Sequence, residues 1–228
     1  TIDVTLVFST EGAFAALRAD GSVVTWGSWS DGGDSAAVAA QLDGTIDVTQ
    51  VFSTDEAFAA LRADGSVVTW GAPPYGGNSS VVAAQLDGTI DVTQVFSTIR
   101  AFAALRADGS VVTWGDSLYG GDSSAVAAKL DGTSDVTQLS STDYAFAALR
   151  ADGSVATWGD WPYGGDRSAV AALLDGTIDV MQVFSTEKAF AALRADGSVV
   201  TWGSSSHGGD RAAVAVQLDG TNDVTQVF

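Results

Sequence analysis

A fifteen-residue phrase, Ala13 to Gly27 (AFAALRADGSVVTWG), returns at Ala57, Ala101, Ala145 and Ala189, altered only where Ala156 replaces a Val. Its Trp falls at 26, 70, 114, 158 and 202, so the period is 44 residues throughout. A fixed period of this size marks a repeat architecture, in which a single unit cannot bury its own apolar face and stability comes from stacking on neighbours. Five repeats, approximately 1–44, 45–88, 89–132, 133–176 and 177–220, account for all but the last eight of the 228 residues. Those eight, Thr221 to Phe228 (TNDVTQVF), are a spare copy of Thr1 to Phe8 (TIDVTLVF). The chain is therefore expected to form one repeat domain with a spare terminal strand. Matching ends point to a mature or excised piece of a longer array.

Within a repeat, Asp47 to Ser53 (DVTQVFS) is rich in Val, Thr and Phe and is expected to be a strand. Simple alternation places Val48, Gln50 and Phe52 on one face and Thr49, Val51 and Ser53 on the other. Two residues that differ in every repeat follow, and then a second strand from Ala57 to Ala63. Its Ala content would suit a helix. The Asp64-Gly65 pair before Ser-Val-Val-Thr-Trp instead predicts a hairpin, whose tight turn requires positive φ at both central residues. The small Ala side chains then form a packing surface for a neighbour's Phe and Trp. A second variable stretch follows Trp-Gly and ends at a Gly-Gly pair, a loop signal. The last element, Asp34 to Gly44 (DSAAVAAQLDG), fits either a fourth strand or two turns of helix with Asp34 as N-cap and Gly44 at its end. Composition favours the helix. The elements run up, down, up, down, so both variable stretches fall at one end of the unit and the Asp-Gly turns at the other.

Composition excludes several classes of function. A net charge of −18 argues against nucleic acid and anionic lipid as partners. Much of that acid is periodic (Asp20, Asp43, Asp47) and belongs to the scaffold, where it fits solubility in a salty, extracellular or cell-surface setting. Cysteine is absent, which removes disulfides, thiol chemistry and Cys metal sites. No signal peptide or transmembrane run stands out, and no membrane insertion is expected.

The phrase Ala-Phe-Ala-Ala-Leu-Arg-Ala-Asp-Gly-Ser-Val-Val-Thr-Trp-Gly, followed by an aromatic, Gly-Gly-Asp and an apolar run, resembles the repeat of the regulator of chromosome condensation family. The resemblance covers all five units and is carried mainly by Leu, Asp-Gly and Trp-Gly in that order. It implies a mainly β, propeller-like fold of five blades, each with three to four strands or with a short helical turn in place of the fourth. The repeats are fewer and shorter than the family's usual seven, and an open superhelical array is the alternative. The family's chromatin binding and nucleotide exchange do not carry over to an acidic chain without an exchange loop.

The periodic Trp residues fit a buried core far better than a ligand platform. Arg18, Arg62, Arg106, Arg150 and Arg194 are expected to pair with scaffold Asp residues. No calcium loop pattern is present, and no metal ligand set or cofactor is expected. His207 is the only histidine and has no partner for zinc or catalysis. Asn78-Ser-Ser is a formal glycosylation sequon. The candidate ligand-contacting residues lie in the variable stretches: Glu56, Arg100, Tyr144 and Lys188 in the first, and Trp29, Asp31, Tyr75, Tyr119, Trp161, Tyr163 and His207 in the second. Aromatics beside polar groups suit stacking on sugar rings, while the competing reading makes each Tyr a plug over the Gly pair.

Two functions follow. One is a non-enzymatic binding module that uses the variable loops of one face for a protein or glycan, gaining from several similar sites. The other is a structural scaffold or self-assembling fibre subunit joined through its terminal strands. No nucleophile–base or carboxylate pair lies outside the scaffold repeats, so no catalytic residue is assigned.

Overall fold

The computed structural model describes residues 3–221 and residue 224. Among them the chain forms five antiparallel sheets of three strands, each in sequence order. In the second repeat the strands are Val48–Ser53, Ala57–Arg62 and Val67–Gly71, followed by short 3₁₀ helices at Pro73–Tyr75 and Ser80–Gln85. The other repeats keep this order, with a π-type turn at Trp29–Gly33 in the first. The architecture is mainly β and propeller-like. Two compact units share it: residues 1–108 with 112–117, and residues 109–111 with 118–228. The spare C-terminal strand lies outside the described residues except for Thr221 and Val224. The Val224 amide donates to the Gly197 carbonyl (3.2 Å), as Val180 does to Gly153 (3.0 Å).

The Asp-Gly turn is a hairpin, but of a different type from the one expected. Among the described residues no non-glycine residue has positive φ, and within this turn only Gly65 does, at +74°. The Gly65 amide donates to the Arg62 carbonyl (3.0 Å) and the Arg62 amide to the Ser66 carbonyl (2.9 Å). This is a three-residue loop, a type I turn closed by a left-handed Gly. Asp64 keeps a negative φ because its carboxylate has another task. It accepts from the Ser66 amide (3.1 Å) and hydroxyl (2.6 Å). In the last repeat the same Ser198 hydroxyl contact, opposed by desolvation and reinforced by the Ser198 amide and Arg194, holds Asp196 below the usual carboxylate range. The periodic Arg residues do pair with these acids: Arg62 with Asp64 at 3.6 Å and Arg150 with Asp152 at 2.7 Å.

Simple alternation fails in the first strand. The register slips between Val48 and Gln50, a β-bulge at Thr49, whose hydroxyl donates to the Leu61 carbonyl (3.1 Å). Val48 and Val51 consequently share one buried cluster with the preceding repeat, while Phe52 packs toward the following one. The fourth element is helical, as composition favoured, but it is a 3₁₀ helix, the form taken by short pieces. Its N-cap is Ser35 in the first repeat, not Asp34, which instead accepts from the Ala36 amide two residues on (2.9 Å). A trace of the strand reading survives at its end. The Val67 amide donates to Leu86 (2.9 Å), and isolated bridges join Ser154 to Asp175 and Ser198 to Asp219.

Neighbouring repeats interlock through the Trp-Gly phrase. Ala13, Ala15 and Leu17 of the first repeat form a small-residue face that receives Phe58, Ala60, Val68 and Trp70 of the second. Phe58 and Trp70 stack with centroids 5.2 Å apart, and the Trp70 indole donates across the junction to the Gly32 carbonyl (3.0 Å). Trp114 does the same to Gly76, Trp158 to Gly120 and Trp202 to Gly164. Glycine is required at these loops, since a Cβ on Gly32 would lie 2.6 Å from the Phe58 ring, at a φ of +101°. The expected burial of all five Phe-Trp pairs holds for four of them. The first does not follow: Phe14 and Trp26 are 45% and 46% exposed, because no preceding Gly loop covers them.

Candidate functional site

Both variable stretches of a repeat lie at the same end of its sheet. The Thr before the first stretch holds them together. In the second repeat the Thr54 hydroxyl donates to the Tyr75 carbonyl (2.9 Å) and accepts from the Ala57 amide (3.1 Å), while the Ala72 amide donates to Glu56 (2.9 Å). In the fourth, Thr142 reaches Tyr163 (3.2 Å) and the Asp160 amide reaches Tyr144 (3.0 Å). In the fifth, Thr186 reaches His207 (2.9 Å) and the Ser204 amide reaches Lys188 (2.9 Å). The sequence reading missed this Thr. Its signal was an unchanged Thr immediately before residues that always change.

In the first compact unit the candidates form separate small groups. The Arg100 guanidinium lies 4.8 Å from the Tyr75 ring centre and 4.0 Å from the Asp116 carboxylate. Tyr75 is half-buried against the cluster holding Phe102 and Trp114, which fits the plug reading at that position. Burial raises the Tyr75 phenol above its usual range, Arg100 opposes the shift and Glu56 adds to it. Trp29 projects into solvent, and Asp31 accepts from the Ser30 hydroxyl (2.6 Å).

The second unit brings more of them together. Tyr119 and Tyr144 stack at 5.5 Å, Tyr144 and Tyr163 pack at 4.5 Å, and the Lys188 ammonium lies 5.7 Å and 5.9 Å from the latter two rings. Each distance falls within the reach of a cation–π attraction. Beneath Lys188, burial raises the Asp143 carboxyl, Glu187 adds to the shift and Lys188 opposes it.

Tyr163 also borders a cleft of about 580 Å³, lined by Trp161, Asp166, Arg167, Ser204 and Asp210 among others. Trp161 is 71% exposed, yet its indole is fixed by donation to the Asp166 carboxylate (2.7 Å). Arg167 donates to the carbonyls of Ala171 (3.2 Å) and Leu174 (3.4 Å). His207 stands outside this cleft, its Nδ1 within 3.0 Å of the Ser204 hydroxyl and 2.9 Å of the Ser206 hydroxyl.

Asp166, Arg167 and Asp210 were not among the expected site residues. Arg167 and Arg211 replace the Ser that follows Gly-Gly-Asp or Gly-Gly-Asn in earlier repeats, and that break in the pattern was a usable signal. Among the described residues no group of three or more acidic or His side chains is placed to hold a metal ion. Nor is any described helix long and apolar enough to cross a membrane.

Five three-stranded sheets joined by a periodic Trp–Gly interlock define a tandem array of propeller-type blades. Solved structures share the fold. Human WBSCR16 is 19% identical, with a TM-score of 0.56 over 89% of this chain and 62% of that one. Yeast RCC1 (Prp20), crystallised bound to Kap60, is 17% identical, with a TM-score of 0.54 over 88% of this chain and 56% of that one. The blades thus share the fold seen in RCC1, and the chain spans less than two thirds of either structure. At such identities the likeness is one of fold alone. No family model and no curated protein matches the sequence.

Proposed function

We propose that the chain is a non-enzymatic binding module whose variable loops recognise carbohydrate. The cleft bordered by Trp161 and Tyr163 carries this reading. Its volume is that of a small-ligand site, and it combines apolar rings with a few fixed polar groups. The C–H face of a sugar ring stacks on an indole or phenol, while Asp166, Arg167 and Asp210 supply donors and acceptors for its hydroxyls. The Trp161–Asp166 hydrogen bond supports the assignment further, since an exposed ring held in place loses little entropy on binding. The rings of Tyr119 and Tyr144 extend the aromatic surface beyond Tyr163. Sites of this kind are individually weak and gain from repetition. A protein ligand on the same loops is the second reading, favoured by the clustered rings of Tyr119, Tyr144 and Tyr163, since tyrosine is enriched in protein-binding surfaces.

A glycan array probed with the intact chain tests the first reading. Trp161→Ala and Tyr163→Ala are each expected to weaken retained binding by about tenfold or more, with the unfolding midpoint of Trp161→Ala unchanged because that ring is 71% exposed. Absence of any glycan binding, or binding indifferent to both changes, contradicts it.

A further inference from the structure

The cleft between the fourth and fifth repeats takes its charge from the periodic Gly-Gly-Asp phrase. Asp166 and Asp210 hold the same place in adjacent repeats of one compact unit, and both line the cleft. Each carboxylate folds back on its own loop: Asp166 accepts from the Ser168 amide (2.7 Å) and Asp210 from the Ala212 amide (2.8 Å). The second oxygen of Asp210 takes no hydrogen bond from a described residue. The Ser168 amide and hydroxyl, opposed by desolvation and reinforced by the Trp161 indole, hold Asp166 below the usual carboxylate range.

Arg167 is the one cation lining the cleft among the described residues, and it is already engaged. Its guanidinium donates to the Ala171 (3.2 Å) and Leu174 (3.4 Å) carbonyls. The cleft therefore sets two carboxylates against one committed cation, in a chain of net charge −18. Such a field repels an acidic sugar and attracts a cationic one. The rings act in the same direction, because the face of an indole draws a cation more strongly than any other side-chain ring. Lys188 already lies 5.9 Å from the Tyr163 ring centre. No described cation lies over Trp161, which is 71% exposed and held by Asp166.

We propose that the sugar taken by this cleft is an amino sugar, its protonated nitrogen set against the Trp161 ring and the Asp166 and Asp210 carboxylates. This ligand class presupposes the carbohydrate reading of the same cleft and adds the ligand's charge. An ammonium and a hydroxyl on one ring carbon are nearly equal in size, so the cleft tells them apart by charge rather than by shape. The ring faces hold the sugar, and the carboxylates select among sugars that fit equally well. Added salt screens that selection and leaves the stacking in place.

Calorimetric titration of the intact chain with a β-linked glucosamine trimer and with the matching glucose trimer tests this. The amino trimer is expected to bind about tenfold tighter. Asp210→Asn is expected to lower that preference about threefold. The fold accepts the change, since Asn78 holds the same place in the second repeat and accepts from the Ser80 amide (3.0 Å). Asp122→Asn removes one charge at the same place in the third repeat, which does not line the cleft, and is expected to keep the preference whole. That variant separates the local carboxylate from the net charge of the chain. Equal binding of the two trimers, or tighter binding of glucose, overturns the amino-sugar assignment and leaves the carbohydrate reading standing. A preference that survives Asp210→Asn, or that Asp122→Asn lowers equally, overturns it as well. Binding of neither trimer also overturns it, and a blank glycan array then takes the carbohydrate reading with it, whereas a positive array spares that reading.

Discussion

Phe102→Ala is expected to destabilise the chain by about 3–5 kcal/mol, the usual cost of truncating a buried Phe. Phe14→Ala, the same change in the same phrase, is expected to cost below about 1 kcal/mol. Phe102 is fully buried, stacks on Trp114 at 5.3 Å and lies under Gly76 of the preceding repeat. Removing it leaves a cavity that two repeats share. Phe14 has no such cover. Urea unfolding of both variants, at concentrations where the chain is monomeric, decides the matter. Equal losses would mean that burial between repeats is not what stabilises the phrase.

Gly120→Ala and Gly208→Ala form the second contrasting pair. Both glycines have positive φ, +96° and +101°, so an added Cβ costs about 1–2 kcal/mol at either site. At Gly120 the Cβ also meets the Phe146 ring at 2.6 Å and Trp158 at 3.4 Å. Overpacking of that kind adds about 1–3 kcal/mol. The expected total is about 2–5 kcal/mol at Gly120 against about 1–2 kcal/mol at Gly208. Thermal or chemical denaturation of the two variants reads the difference directly, and a larger loss at Gly208 would place the ring-to-glycine contact elsewhere.

Much of the repeat was legible because its strongest signals are local. Val-Val-Thr-Trp after Asp-Gly specifies a hairpin whatever surrounds it, and the small Ala side chains of the preceding strand mark a surface for a neighbour's Phe and Trp. The features that were not legible depend on atoms distant in sequence. The bulge at Thr49 arises from a hydroxyl that meets the Leu61 carbonyl twelve residues away. The turn type depends on whether the Asp64 side chain is engaged, and a dipeptide does not reveal that.

The candidate site divides in the same way. Tyr119, Tyr144 and Tyr163 were legible as aromatics in changing loops. Their mutual packing was not, since it joins the second stretch of the third repeat to the first stretch of the fourth at Tyr119–Tyr144, and the two stretches of the fourth at Tyr144–Tyr163. Asp166 and Arg167 went unnoticed because they follow the Gly pair, where the scaffold had seemed to resume. The exposure of Phe14 and Trp26 was hidden by the very identity of the repeats, which gave no sign that the first differs in its neighbours.

Hydrogen exchange of the indole N–H groups, followed by NMR, tests most directly the claim that each repeat is locked to the one before it. Trp70, Trp114, Trp158 and Trp202 each donate to a Gly carbonyl of the preceding repeat and are nearly fully buried. Their indole protons are expected to exchange orders of magnitude more slowly than that of Trp29, which is 79% exposed. Exchange of these four at the rate of Trp29 would contradict the interlock.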